Sequence, residues 1–141
     1  MERKTKLLQW GLTCIGLSVA AEVSAQTTPT LKRLEGAWVP DGARCKDVFF
    51  RQGTAINFVR PGAATRDGIL VAGTRIRDPN NSCTISKINE SGESPTLLLT
   101  CFSGLLVSKI AFSIRSQDED TVIRTLNDFP DEKMTFRRCR V

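Results

Sequence analysis

The chain of 141 residues contains no histidine and no tyrosine. Histidine is the usual general base near neutral pH, the commonest metal ligand and the partner of serine and cysteine nucleophiles. None of the five cysteines forms a C-x-x-C pair, which argues against a zinc knuckle or a thioredoxin-type redox site. We therefore expect no catalytic residues, no cofactor and no metal site. A hydrolase that works without histidine is the open alternative.

The carboxylates cluster in short turn-like runs, above all Asp118-Glu119-Asp120 and Asp131-Glu132. Such runs are ordinarily solvated loop tips. A weak cation site in the first run is the alternative, but the run lacks the ligand spacing of a calcium loop.

No window of a dozen residues shows the three-and-four spacing of an amphipathic helix. Instead, about eight short strands follow one another at spacings of about 8–12 residues, separated by turn residues. The predicted strands include 34–39, 45–50, 54–59, 68–77, 105–115, 121–126 and 133–139, with loops at 63–67 and 127–132 and a hairpin over 82–103. This pattern predicts an all-β fold, a small antiparallel barrel or sandwich, in a single domain over 34–141 with a flexible lead-in at 26–33.

Long apolar runs are missing except near the N-terminus, where Leu7 to Ala21 follows a basic start. Val23-Ser24-Ala25 then offers small residues at the positions that a signal peptidase reads. We expect residues 1–25 to be a signal peptide cleaved before Gln26, which places the protein in the periplasm or outside the cell with no transmembrane segment. A retained anchor and a lipid-modified N-terminus at Cys14 are the alternatives.

Removal of the leader leaves four cysteines, and an even number in a small exported chain predicts two disulfides. These are Cys45, Cys83, Cys101 and Cys139. If the 82–103 hairpin is centred on Gly92, Cys83 lies opposite Cys101, Ile85 opposite Leu99 and Lys87 opposite Leu97. That register favours Cys83–Cys101 and leaves Cys45–Cys139, although the sequence permits three connectivities.

The charge is positive, +5 for the whole chain. Without the leader it is +4, from 17 basic residues (20 − 3) against 13 acidic ones (15 − 2). A basic surface favours anionic partners such as envelope lipids or acidic polysaccharides. Aromatic residues interleaved with the basic ones, which would stack nucleic-acid bases, are scarce, so we do not expect nucleic-acid binding.

Gly36-Ala37-Trp38 on the first predicted strand, with Arg137, Arg138 and Arg140 on the last, resembles the lipocalin and calycin pattern. In that family a G-x-W tryptophan closes one end of a β-barrel, and a basic side chain from a late strand packs over it. The resemblance implies a barrel in which one of these arginines covers Trp38. Trp38 and the three arginines are therefore the candidate structural or binding residues.

The chain after the leader also resembles a set of small exported hypothetical proteins of alphaproteobacteria, of the Bradyrhizobium type, which has no assigned activity. The shared features are Trp38-Val39-Pro40-Asp41, Cys45-Lys46-Asp47-Val48-Phe49, Gly73-Thr74-Arg75-Ile76-Arg77, Cys83-Thr84-Ile85, Thr100-Cys101 and Arg138-Cys139. This resemblance implies export and disulfides and no particular chemistry.

The sequence thus predicts a non-catalytic binding module that holds a small apolar or anionic ligand or an envelope component. The alternative is a proteinaceous inhibitor or another partner-binding protein that acts through exposed loops. A lined pocket of several hundred Å³ would favour the first prediction, and a solid core with a protruding loop would favour the second.

Overall fold

The structure, a computed structural model, describes residues 28–59 and 67–141. The predicted signal peptide at 1–25 and nearly all of the loop predicted at 63–67 lie outside the described residues. The described part has two short helices, α1 (Pro29–Leu34) and α2 (Cys45–Val48). Its strands are β1 (Gly36–Pro40), β2 (Phe49–Gln52), β3 (Ala55–Phe58), β4 (Ile69–Ala72), β5 (Arg75–Arg77), β6 (Ser82–Asn89), β7 (Thr96–Ser103), β8 (Leu106–Ser116), β9 (Thr121–Leu126) and β10 (Phe129–Cys139).

Eight of these strands form a closed antiparallel barrel in the order β1-β10-β9-β8-β7-β6-β5-β4, and β1 closes it by pairing with β4. The all-β prediction is confirmed, and of its two architectures, barrel and sandwich, the structure is a barrel. From β4 to β10 each strand pairs with the next in sequence, so the wall is an up-and-down meander. Among the strands of the described residues, β2 and β3 pair only with each other.

The barrel interior is filled by apolar side chains that alternate along the strands, as a half-buried strand requires. Trp38, Leu97, Leu99, Val122 and Phe136 are the most completely buried of them. This cluster also takes in Leu31 and Leu34 of α1.

Helix α1 corrects the prediction of a flexible lead-in over 26–33. Thr28 caps the helix, with its side-chain oxygen accepting a hydrogen bond from Leu31 N, and Pro29 stands at the first helical position, where its missing N–H has no cost. Leu31 and Leu34 are buried against the barrel core. The helix therefore covers one end of the barrel, here called the closed end.

The predicted strand at 45–50 is wrong in its first half, because Cys45–Val48 forms one helical turn. That turn leads into the β2–β3 hairpin, which packs Val48 and Phe49 against the outer side of β1 and β4. As a result β1 is buried on both faces: Trp38 points inward, while its neighbours Ala37 and Val39 are covered from outside.

Two further predictions need correction. The single strand predicted at 68–77 is the β4–β5 hairpin, turned at Gly73, whose φ of 56° is a left-handed conformation that favours glycine. The loop predicted at 127–132 is a turn at Asn127 and Asp128 followed by β10, which bulges between Phe129 and Lys133. Pro130 occupies the bulge, where a residue without an N–H removes no ladder hydrogen bond.

Both predicted disulfides are present, Cys45–Cys139 and Cys83–Cys101. The hairpin register is right for Cys83 opposite Cys101 and for Ile85 opposite Leu99. It is wrong for Lys87, which lies opposite Leu98 rather than Leu97, because β6 carries a bulge between Ile85 and Lys87. The Ser86 hydroxyl at this bulge donates to the Leu98 carbonyl at 2.9 Å.

Candidate functional site

Trp38 is the centre of the closed end. Its side chain is completely buried, and its Nε1–H donates to the Leu34 carbonyl of α1 at 2.7 Å. The guanidinium carbon of Arg138 lies 4.2 Å from the centroid of the Trp38 ring. The predicted packing of an arginine across Trp38 is confirmed, and the arginine is Arg138.

Arg138 also binds the chain that leads from α1 into β1. Its two terminal nitrogens donate to the carbonyls of Arg33 and Glu35, each at 2.6 Å, and its Nε lies 3.4 Å from an Asp120 carboxylate oxygen. Gly36 makes room for this contact: a Cβ there would lie 3.2 Å from Arg138 Nη1, and its φ of 119° also favours glycine. The glycine of the G-x-W pattern therefore leaves the space that the Arg138 guanidinium occupies.

The other two arginines of the predicted set do not contact the tryptophan. Arg137 forms an exposed ion pair with Asp41 at 2.8 Å, and Arg140 pairs with Asp120. The three arginines therefore divide between one that packs over Trp38 and two that face solvent. The closed end is therefore a structural assembly around Trp38. A cavity of about 640 Å³ lies beside it, lined by Arg33, Arg138 and the acidic turn 116–120 between β8 and β9.

The opposite end of the barrel carries a basic residue that the sequence reasoning missed. On β9, Val122 is buried and Leu126 packs against the core, so Arg124, midway between them, points into the barrel mouth. The signal was available, since strict alternation over 121–126 puts these three residues on one face.

Arg124 lies against aromatic rings rather than against a carboxylate. Its guanidinium carbon is 5.2 Å from the ring centroid of Phe136 and 6.0 Å from that of Phe112. Its Nη2 approaches the sulfur of Met134 at 3.6 Å, and none of the ion pairs within the described residues includes it. Burial lowers the pKa of Arg124, while the charges of Asp67 and Asp78 oppose that shift. The side chain stays cationic at neutral pH, because a guanidinium does not deprotonate in proteins. Among the residues that the structure describes, Met134 is the one whose side chain accepts a hydrogen bond from it.

A cavity of about 340 Å³ opens over this arginine. Its lining combines Arg124, Met134, Phe136 and Ile69 with the polar turn between β5 and β6 and with Asp67. A second cavity of about 310 Å³ lies on the other side of Arg124, under the β10 bulge. We call the first one the mouth cavity.

The Asp78 carboxylate at the rim is already engaged. It accepts hydrogen bonds from the backbone N–H groups of Asn80 and Asn81, both at 2.7 Å, and from the side-chain amide of Asn81. Asp78 therefore shapes its own turn and does not neutralise Arg124 directly.

Within 28–59 and 67–141, no group of three or more cysteine or acidic side chains is arranged to hold a metal ion. None of the helices in these two ranges is long and apolar enough to cross a membrane. The fold and the two ends together define a small disulfide-bonded antiparallel barrel, closed by a helix at one end and open on an arginine-lined cavity at the other. Comparison with protein-family models, with curated proteins and with solved structures gives no significant match.

Proposed function

We propose that the protein is a non-catalytic, lipocalin-like binding module that holds a small amphipathic anion in the mouth cavity. The observation that carries the proposal is Arg124, an inward-facing guanidinium that no described carboxylate pairs with and that lies beside an open cavity. A guanidinium presents a planar fork of donors that matches a carboxylate in a bidentate pair.

The rest of the lining indicates what the anion is attached to. Phe136, Met134 and Ile69 give the cavity an apolar side, so the ligand carries a short apolar part as well as its charge. A volume of about 340 Å³ lies at the lower end of the range for ligand pockets, which favours a small molecule.

The two aspartates favour a ligand with a single negative charge. Asp67 and Asp78 act on Arg124 through their charges and lie on the same rim. A multiply charged anion would be repelled by both, whereas one carboxylate approaching Arg124 gains a charge-assisted hydrogen bond of about 1.5–3 kcal/mol. We therefore expect a monocarboxylate to bind better than inorganic phosphate.

Calorimetric titration with octanoate, and with inorganic phosphate as the second probe, tests this proposal. We expect octanoate to bind the wild type and Arg124→Gln to weaken it roughly ten- to a hundredfold, the loss of one charged hydrogen bond. The matched control is Arg115→Gln, which removes the same charge from an exposed position on the neighbouring strand. Equal affinity in wild type and Arg124→Gln, or no octanoate binding at all, would refute the mouth cavity as the site.

The location proposed for this activity is the periplasm or the extracellular space. Two disulfides are consistent with an oxidising environment, and the basic, apolar and small-residue order of 1–25 supports export. Intact mass of the purified protein should give an N-terminus at Gln26, and retention of residues 1–25 would contradict it.

The alternative function, a partner-binding protein that acts through exposed loops, has one observation in its favour. At the turn from β7 to β8, Leu105 is fully exposed, and Leu106, the first residue of β8, is largely exposed. Native mass spectrometry of protein isolated from the producing cells separates the two functions: a co-purifying small mass supports the mouth cavity, and a co-purifying protein supports the alternative.

A further inference from the structure

The β7–β8 hairpin projects beyond β9, while on its other side β6 pairs with β7 as far as Phe102. β7 and β8 stay paired down to Ser103 and Leu106, whereas β9 pairs with β8 only as far as Phe112. The Asn127 N–H donates to the Ala111 carbonyl at 3.1 Å, which places the β9–β10 turn level with Ala111. Residues 106–110 therefore extend past β9 by five residues, about 16 Å at the rise of a strand.

The projecting end is apolar and exposed. Leu105 is fully accessible, Leu106 is 74% exposed, Val107 62% and Phe102 50%. Phe102 and Val107 are cross-strand partners, so their side chains lie together on one face. We call Phe102, Leu105, Leu106 and Val107 the hairpin tip. Four large apolar side chains gathered at one projecting end are more than scattered surface exposure and indicate an interaction site.

The charged side chains of the hairpin itself have one sign. The whole segment 94–117 contains Lys109 and Arg115 and no carboxylate. Along the ladder Lys109 lies in one row with Thr100, Thr84 and Arg75, and Val107 lies in the next row with Phe102, Ser82 and Arg77. Because side chains alternate between the two faces of a strand, these basic groups share the outer face with Phe102 and Val107. Leu106 lies on the opposite face, in line with Ile110. The neighbouring Asp78 is held by its own asparagine turn.

We propose that the hairpin tip docks the protein on an anionic lipid bilayer. In this arrangement the four apolar side chains enter the interfacial layer, while Lys109, Arg75 and Arg77 contact lipid phosphates. An apolar end with basic residues on its outer face is complementary to such a surface, where apolar burial and attraction to anionic headgroups act together. The mouth cavity plays no part in this docking.

Charge and shape favour a bilayer over a second copy of the chain. Two copies joined along the free edge of β8 would bring their Lys109 side chains and their basic outer faces together, which is repulsive. The tip is also convex and narrow, so two tips would bury little area against each other. Insertion stays shallow, because the unpaired backbone groups of 106–110 need water or headgroups as partners.

Vesicle co-sedimentation tests the proposal. The protein is used as isolated from the producing cells, with its N-terminus fixed by intact mass and the same in every variant. One set of vesicles contains equal parts of phosphatidylglycerol and phosphatidylcholine, and the other contains phosphatidylcholine alone. We expect binding to the anionic vesicles that weakens with salt, as screening of surface charges requires.

The double variant Leu105→Ser with Leu106→Ser should lower the partition coefficient about tenfold or more, since two apolar side chains leave the layer. Phe50→Ser is the matched apolar control, because Phe50 is 44% exposed on β2, outside the barrel wall, and its loss should leave binding unchanged. Lys109→Glu should weaken binding at least fivefold, at about 1 kcal/mol per basic residue near the surface. Lys46→Glu, on the exposed side of α2, is its control with the same charge change.

Three outcomes would overturn the proposal. The first is no binding to the anionic vesicles. The second is equal binding by the tip variant and the wild type. The third is a dimer in sedimentation velocity that the tip variant abolishes while vesicles are not bound, which would assign the tip to a second copy. The thermal unfolding of the tip variant should match that of the wild type, since the altered side chains are already in water.

Discussion

At the scale of single residues, two arginines in the barrel have opposite roles. The terminal nitrogens of Arg138 donate hydrogen bonds to the carbonyls of Arg33 and Glu35, and the flat face of its guanidinium packs on Trp38. Its donors are therefore used within the fold. Arg124 has the aromatic contact but, within 28–59 and 67–141, no carbonyl or carboxylate partner. A basic side chain whose donors are hydrogen-bonded within the protein supports the structure. A half-buried one whose donors lack such partners is available to a ligand.

The closed end gives a prediction about Trp38. Trp38→Ala should lower the free energy of unfolding by about 3–5 kcal/mol, the usual cost of removing a buried aromatic side chain. Arg138→Ala should lower the free energy of unfolding by less than Trp38→Ala does. Loss of the cation–π contact costs about 1–2 kcal/mol, and loss of the hydrogen bonds adds to it. The tryptophan emission should shift to the red as water reaches the ring. Urea unfolding and fluorescence measure the two effects.

The matched control for that pair is Arg137→Ala, which removes an exposed arginine one position away. Its emission should equal that of the wild type, because Arg137 does not touch the ring. A wild-type emission near that of free indole would contradict the buried position of Trp38.

At the scale of elements, α1 is short and depends on its contacts with the barrel. Six residues are too few to form a stable helix alone in water. The helix is held by Leu31 and Leu34 in the core and by Thr30, whose hydroxyl donates to the Glu90 carboxylate in the loop that joins β6 to β7. This bond to Thr30 lowers the pKa of Glu90 below its ordinary value of 4.5.

The lowered pKa predicts how α1 responds to pH. A carboxyl group with a depressed pKa in the folded state contributes stability above its unfolded pKa, near 4.5, and that contribution is lost as the pH falls through the lower folded value. Glu90→Gln should therefore unfold at a lower temperature than the wild type at pH 7, and the difference should shrink below pH 4.5.

Glu93→Gln is the control, since it removes a carboxylate from the same loop without the bond to Thr30. Thermal unfolding followed by circular dichroism between neutral pH and the acid side measures both variants. A Glu90→Gln difference that stays constant through pH 4.5 would contradict the role of its ionised form.

At the scale of the whole molecule, the two disulfides close loops of very different length. Cys83–Cys101 spans 18 residues inside one hairpin, and Cys45–Cys139 spans 94 and ties the α2–β2–β3 cover to the last strand. The second bond holds together parts of the chain that the β-ladders of the barrel do not join, because β2 and β3 pair only with each other.

Replacing Cys45 and Cys139 together by alanine should therefore cost more than replacing Cys83 and Cys101. The chain-entropy estimates are about 4–5 kcal/mol for the long loop and about 3 kcal/mol for the short one. Urea unfolding gives the comparison, and hydrogen exchange should show faster exchange in β2 and β3 only for the first variant. A larger loss from the Cys83 and Cys101 variant would contradict this order.

The sequence by itself determined what depends on neighbours along the chain. Period-two alternation and turn residues predicted β9 at 121–126, and a turn centred on Gly92 placed Cys83 opposite Cys101 within one hairpin. The cap signals of α1, Thr28 and Pro29, were also local, but a six-residue helix is stable only where a barrel end receives its leucines.

Only the tertiary structure decided the features that depend on distant pairings. Closure of the sheet joins β1 to β10 and selects Arg138, among the three candidate arginines, as the one that lies over Trp38. The unequal lengths of β8 and β9 determine that the hairpin tip projects, and the position of Arg124 near the end of β9 puts it at the mouth rather than in the core. Alternation fixes which face a side chain occupies, but the register between strands far apart in sequence fixes its height in the barrel, and that register is set by packing over the whole molecule.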